Sequence, residues 1–247
     1  MKHDWQVHQL RVTAFPAERM DPTKPSALWE ALCGAPPDTD QYVRSQELRR
    51  QVGPYGDGAI LEMRLLPPRI DWQLSPQPQP GDGLPNLGSY EAVIPAFASK
   101  VRKWLEGSSL TFVRLAFAPQ LFMPVAGRQE GYDQIMVLVP SLKLETNADV
   151  SDLLLQINYP RPSMTDEELR LNAIQKWGVM AVQGFELTGG GGPGLRPIGM
   201  EHFCQLELDI NTVPASPPKP LDSDKLPSIF DELVNVADKI AAQGERA

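Results

Sequence analysis

The chain has 247 residues, of which 42% are hydrophobic, so it can bury a substantial core as one large domain or two small ones. Its formal net charge is −8, and the acidic surplus falls within residues 145–247. This balance excludes nucleic acid as an expected partner, because phosphate contacts need a surplus of Lys and Arg.

Three further features indicate the cellular compartment. No run of about 18 apolar residues occurs, so we expect no membrane span. The start of the chain carries Asp4 and Arg11 and lacks the apolar core of a signal peptide. The two cysteines, Cys33 and Cys204, lie far apart, which favours a reducing compartment over a disulfide framework. We therefore expect a cytoplasmic protein of bacterial type.

The first part of the chain, residues 1–75, is predicted to form an antiparallel β-meander with one short helix. Apolar and polar residues alternate with the period of half-buried strands over 9–14, 61–65 and 70–74. The helix is indicated by Leu28, Trp29 and Leu32, with Gly34 ending it. Residues 76–88 are rich in Pro and Gly, and we interpret them as a linker or spacer loop.

The second part, residues 89–247, is predicted to be an α+β domain. Apolar residues at helical spacing indicate helices over 94–105 and 229–240. A further helix is predicted from Thr165 to about Gly178, because Thr165 and Glu168 have the spacing of a capping box. Strands are predicted over 110–117, 153–159, 179–187 and 203–213. The whole chain thus reads as an α+β fold of mainly antiparallel sheet with about four covering helices, in one or two subdomains.

A glycine-rich segment lies between the last two predicted strands. It comprises Gly189, Gly190, Gly191 and Gly192, followed by Pro193, Gly194, Leu195, Arg196 and Pro197. Its spacing fits the Gly-x-Gly-x-x-Gly pattern of dinucleotide loops, but Pro197 and Gly199 prevent the helix that this pattern needs. We therefore predict no cofactor here and interpret the segment as the long connection of a hairpin. If it binds anything, a partner's backbone or a carboxylate at Arg196 fits better than a nucleotide.

Candidate catalytic residues are few. His202 and Cys204 lie two apart in a predicted strand, so they share a face and could act as base and thiol nucleophile beside the glycine N–H groups. However, Cys204 also continues the apolar stripe of Leu206 and Leu208, which is typical of a structural cysteine. No Cys-x-x-Cys or His-x-x-x-His spacing occurs, so no metal site is predicted.

Three short segments resemble a family of uncharacterised bacterial proteins of similar length. They are Val113-Arg114-Leu115-Ala116-Phe117, Leu208-Asp209-Ile210-Asn211-Thr212 and Phe230-Asp231-Glu232-Leu233. The resemblance covers about half of the chain, and Ala118-Pro119-Gln120 departs from the aromatic-Asn step of that family. It implies a bacterial cytoplasmic protein and no particular reaction.

The sequence favours a non-catalytic interaction protein, an adaptor or accessory subunit that binds a partner protein. The predicted contacts are the glycine segment with Arg196 and the apolar face of the last helix, formed by Ile229, Leu233, Val236 and Ile240. Two alternatives remain open at this point. One is a hydrolase or transferase that uses Cys204 and His202, and the other is a small-ligand sensor.

Overall fold

The computed structural model describes residues 3–24, 27–56, 58–77, 84–144, 150–189 and 193–245, with the backbone alone described for 185–189 and 193–198. The strands are β1 (Gln6–Pro16), β2 (Thr39–Val43), β3 (Leu48–Pro54), β4 (Ala59–Leu66), β5 (Arg69–Pro76), β6 (Phe112–Val125), β7 (Leu154–Asn158), β8 (Arg161–Pro162), β9 (Arg170–Gly189) and β10 (Pro193–Thr212). The helices are α1 (Leu28–Cys33), α2 (Tyr90–Glu106), α3 (Arg128–Leu138) and α4 (Leu226–Gln243).

All ten strands join one antiparallel sheet. The order across it is β2-β3-β4-β5-β1-β6-β10-β9-β7, and β8 pairs with β9 beside β7. β1 lies in the middle, since it pairs with β5 on one side and with β6 on the other. The longest strand pairing is the hairpin of β9 and β10, which extends from Leu171 opposite Thr212 to Gly189 opposite Pro193.

The helices cover one face of this sheet and enclose the core. α2 buries a stripe at helical spacing that includes Ile94, Phe97 and Val101, because positions three and four apart share one helix face. α4 packs on β6, where the rings of Phe230 and Phe117 meet edge to face at 6.0 Å. Full burial of each such side chain stabilises the fold by about 1.5–3 kcal/mol.

The α+β fold with four helices and a mainly antiparallel sheet is as predicted. The strands expected over 9–14, 61–65, 70–74, 110–117 and 153–159 are present, and so are the short helix near Trp29 and the helices over 94–105 and 229–240. Pro95 lies inside α2, which begins earlier than predicted, at Tyr90.

The predicted helix from Thr165 to Gly178 is wrong. Residues 163–169 form a turn instead, in which the Ser163 hydroxyl accepts the N–H of Thr165 at 3.1 Å. The strand β9 then begins at Arg170. Leu171, Ala173, Gln175 and Trp177 are fully buried at a spacing of two along it, so the period-two pattern prevailed over the capping signal.

Most of the segment that was predicted to connect the last two strands belongs to the strands themselves. Both strands of the β9–β10 hairpin extend to it, since Gly189 pairs with Pro193 and Arg196 pairs with Glu186. Gly190, Gly191 and Gly192 lie outside the described residues. The predicted long connection between residues 187 and 203 is therefore corrected where the structure describes it, because residues 188–189 and 193–202 belong to the two strands.

A single sheet includes strands from both predicted parts of the chain, residues 1–75 and residues 89–247. β1 belongs to residues 1–75 and β6 to residues 89–247, yet they pair along most of their length. Whether the two parts fold as separate domains stays a prediction. The proline-rich stretch between them falls partly on residues 78–83, which lie outside the described residues.

Candidate functional site

The face of the sheet opposite the helices carries mainly polar side chains, many of them half-buried, and we call it the open face. Alternation along the strands determines which residues reach it. In β10, Cys204, Leu206 and Ile210 are buried in the core, whereas Glu207 and Asp209 are half-buried on the other side. Antiparallel sheets commonly pack one face on the core and leave the other solvated, and the alternation in β10 follows this arrangement.

Five polar side chains form a register row across the open face, and we call them the polar row. They are Gln9 of β1, Gln120 of β6, Glu207 of β10, Lys176 of β9 and Gln156 of β7. Each is the direct cross-strand neighbour of the next in the sheet register. With strands about 4.8 Å apart, the row spans roughly 19 Å.

A depression of about 270 Å³ lies along the polar row. Ala118 lines it directly opposite Arg11 in the register, and Ile174 lines it opposite Asp209. The short methyl group of Ala118 lies among longer neighbours, and this difference in side-chain length accounts for the concave surface.

Several groups around this depression have unused hydrogen-bonding capacity. The side chains of Gln9, Gln120, Gln156 and Arg11 make no hydrogen bond or ion pair with any residue that the structure describes. A primary amide offers two donors and an acceptor, and a guanidinium offers five donors. These groups are therefore available to a bound molecule, with water as the competitor.

The charged residues of the depression include both signs. Lys176 Nζ lies 3.4 Å from Glu207 Oε2, and Gln205 donates to the other carboxylate oxygen of Glu207 at 2.6 Å. Asp209 accepts a hydrogen bond from Asn211 at 2.9 Å. A partly exposed pair such as Lys176 and Glu207 contributes about 0–1 kcal/mol, so its main effect is to orient the two side chains.

The predicted thiol–imidazole pair does not form a reactive site in this geometry. Cys204 is fully buried, and its Sγ donates to the backbone carbonyl of Gly131 at 3.4 Å. Burial, together with the nearby charge of Glu130, raises the pKa of the Cys204 thiol to about 12. His202 is half-buried two residues earlier in β10 and makes no hydrogen bond to the thiol. A nucleophilic cysteine needs the opposite environment, accessible and with a lowered pKa.

The predicted docking face of the last helix is corrected. Ile229, Leu233 and Ile240 are fully buried and Val236 nearly so, all within the core of the same chain. α4 uses this face to cover its own sheet, so the face is not available to a partner. Of the other predicted contacts, Arg196 lies in β10 with only its backbone described.

Comparisons with protein-family models, with curated proteins and with solved structures give no match. Within the described ranges, no helix is long and apolar enough to cross a membrane. In the same part of the chain, no three His, Cys, Asp or Glu residues are grouped to hold a metal ion.

Sequence reasoning missed the polar row because its members come from five strands. The alternation in 203–213 indicated that Glu207 faces away from the core, and the strand over 9–14 indicated the same for Gln9. The position of Lys176 on this face could not be predicted, since its segment has the capping spacing of a helix. The strand order that brings these residues together had no signal in the sequence.

Proposed function

We propose that this protein is a non-catalytic binding protein, an adaptor or accessory subunit of a bacterial assembly, which holds a partner polypeptide on the open face of its sheet. The supporting observation is the polar row, whose amide side chains at Gln9, Gln120 and Gln156 have no partner among the described residues. An enzyme based on Cys204 and His202 has less support, because the thiol is buried and protonated at neutral pH.

The chemistry of the row favours a peptide segment as the bound molecule. A polypeptide backbone presents alternating donors and acceptors, and an amide side chain can match either. A row of roughly 19 Å accommodates about six residues of extended chain, at about 3.3 Å per residue. The segment would cross the strands of the open face and place its side chains against the depression at Ala118.

The charges favour a partner segment that also carries both signs. Arg11 and Lys176 attract carboxylates, whereas Glu207 and Asp209 attract amines, all within one depression. Complementary charges of this kind give register and specificity more than affinity. A nucleic acid fits poorly, because the two carboxylates repel phosphate and the chain has a net charge of −8.

A reducing bacterial cytoplasm is part of this proposal. Cys33 and Cys204 are both free thiols, which fits a compartment where disulfides do not form. The resemblance of the three short segments to bacterial proteins supports the same setting.

The test is affinity purification from the native host with a charge-reversed open face. The double variant Arg11→Glu/Lys176→Glu should lose the captured partner, because both cations of the depression become acidic. The matched control is Lys103→Glu, an exposed change on α2 at the opposite side of the sheet. Circular dichroism and thermal unfolding of each variant establish that it is folded.

Photo-cross-linking locates the contact independently. A benzophenone amino acid at Gln120 should cross-link to the captured partner, whereas the same group at Lys103 should not. Capture that is unchanged in the double variant, or cross-links from position 103 alone, would place the partner elsewhere and refute the proposal.

A further inference from the structure

A second cavity, of about 430 Å³, lies on the helix side of the sheet between the start of β1, α2 and α4. Its apolar walls include Trp5, Ile94, Val234 and Ala241, which are all buried. The volume falls in the range of small-molecule sites, about 300–1,000 Å³. The cavity is separate from the open face, so its argument does not rest on the proposed function.

The wall formed by Trp5 is held in place before any ligand enters. Its indole nitrogen donates to the Ala241 carbonyl at 2.9 Å, and its ring lies 6.3 Å from that of Trp177. Its backbone carbonyl also accepts the N–H of Tyr90 at 3.0 Å. Pre-organisation of this kind lowers the ordering cost of binding.

A carboxylate stands at the polar side of the cavity. Asp238 Oδ1 accepts a hydrogen bond from the Tyr90 hydroxyl at 2.5 Å, and no Lys or Arg among the described residues pairs with this carboxylate. Burial raises the pKa of Asp238, and the Tyr90 hydrogen bond offsets only part of that effect. A half-buried carboxylate without a cation is a place where a ligand's positive charge is stabilised.

The other titratable groups that line the cavity are a second carboxylate and an imidazole. Glu91 is an exposed carboxylate at its rim. Burial lowers the pKa of His3, so this imidazole is neutral near pH 7. The C-terminal end of α4 adds negative partial charge near Ala242, whereas the first turn of α2 adds the opposite partial charge beside Glu91.

We propose that this cavity binds a small apolar amine, with the ammonium group on Asp238 and the hydrocarbon body against Trp5, Ile94 and Val234. The ammonium supplies the cation that Asp238 lacks, and Tyr90 keeps the carboxylate oriented. Such a ligand would make the protein respond to a metabolite as well as to a partner.

The test compares three probes of similar shape, phenethylamine, 2-phenylethanol and 3-phenylpropionate, by calorimetry and thermal shift near pH 7.5. The amine should bind about tenfold more tightly than the alcohol, because it adds a charge-assisted hydrogen bond. The acid should not bind. The melting temperature should rise with amine concentration by mass action.

Substitutions connect this preference to the cavity. Asp238→Asn should abolish the advantage of the amine and leave the affinity for the alcohol unchanged. Asp231→Asn is the matched control, since Asp231 lies in the same helix but does not line the cavity. Ala242→Phe fills the cavity from an exposed position and should block both ligands without removing a core side chain.

Two results would overturn the proposal. One is equal binding of amine and alcohol with no effect of Asp238→Asn. The other is the absence of saturable binding by any probe at millimolar concentration in a protein that unfolds cooperatively.

Discussion

The thiol of Cys204 donates to the carbonyl of Gly131 across 3.4 Å, and this contact joins β10 to α3 inside the core. Since burial raises the pKa of Cys204 to about 12, almost no thiolate exists at pH 8. We expect iodoacetamide to leave Cys204 unmodified in the native protein and to modify it fully in guanidinium chloride. Peptide mass spectrometry distinguishes it from Cys33.

The opposite outcome has a definite meaning. If native Cys204 is alkylated rapidly and His202→Ala suppresses that reaction, the two residues act as a nucleophile and its base. The enzyme hypothesis would then replace the binding protein proposed above.

The replacement of Gly244 by alanine should destabilise the fold strongly. Gly244 has φ +82° and ψ −159°, a region that is essentially restricted to glycine, and a Cβ there would overlap the Leu138 carbonyl. We expect a loss of about 3 kcal/mol in the free energy of unfolding, measured with urea.

Gly34→Ala is the control for backbone strain alone. Gly34 ends α1 at φ +75°, and a Cβ there would meet no heavy atom within 4 Å. Its loss should be about 1 kcal/mol. Equal effects at Gly34 and Gly244 would show that the contact with Leu138 is not limiting.

Asp238 should make the stability depend on pH in a predictable direction. Its pKa is higher in the folded than in the unfolded chain because of burial, so folding free energy is lost as pH rises from the unfolded towards the folded value. Asp238→Asn should therefore be more stable than the wild type at pH 7, and this difference should vanish near pH 3. Urea unfolding at both pH values measures it. A variant that is less stable at pH 7 would show that Tyr90 needs the ionised carboxylate.

Glu62 should show the opposite dependence. Arg50 and Arg64 lie directly opposite each other in the register of β3 and β4, and Glu62 bridges them at 2.7 and 2.6 Å. Burial opposes ionisation, but the two guanidinium groups outweigh it and lower the pKa of Glu62. Its stabilisation is therefore present above the ordinary pKa of a glutamate and is lost as pH falls through the folded value.

Glu62→Gln should cost about 1–3 kcal/mol at pH 7, because it leaves two like charges facing each other. The cost should shrink on acidification. Glu18→Gln, at an exposed position without a side-chain partner among the described residues, should change the free energy of unfolding little at either pH. A constant cost of Glu62→Gln across pH would point to packing as its cause.

Deletion of Gly190, Gly191 and Gly192 should leave the fold intact. Among the hairpin residues whose side-chain burial the structure describes, the buried ones nearest to these glycines are Gly178 on β9 and Phe203 on β10. The change in melting temperature should be within a few degrees, and circular dichroism should be unchanged. Loss of cooperative unfolding would show that the connection is needed for the register of β9 and β10.

The parts of the fold that the sequence predicted are those with one buried face. Alternation placed Leu206, Leu208 and Ile210 on the core side of β10, and all three are buried. By contrast, β2 is exposed along nearly its whole length, so it has no alternation to detect. A short apolar run at 135–139 did not identify α3 either, because so short a run fits a strand as well as a helix.

The capping-box spacing of Thr165 and Glu168 predicted a helix that is absent, because backbone N–H groups in this turn have other partners. The N–H groups of Met164 and Thr165 are both bound by the Glu232 side chain from α4, at 2.7 and 3.2 Å. This partner lies far away in sequence, so local spacing could not reveal it. The polar row could not be predicted for the same reason. Gln9, Gln120 and Gln156 are far apart in sequence, and only the strand order places them in one row on the open face.

The central position of β1 has a consequence for how this chain folds. Neither partner of β1 is its neighbour in sequence, since β5 begins at Arg69 and β6 only at Phe112. Both edges of β1 therefore pair with distant segments, and the edge that pairs with β6 has the more distant partner. Contacts between segments so far apart slow folding, since chain entropy is lost before the contact forms. A fragment cut before β6 would expose that edge, with its unpaired N–H and C=O groups, and would tend to aggregate.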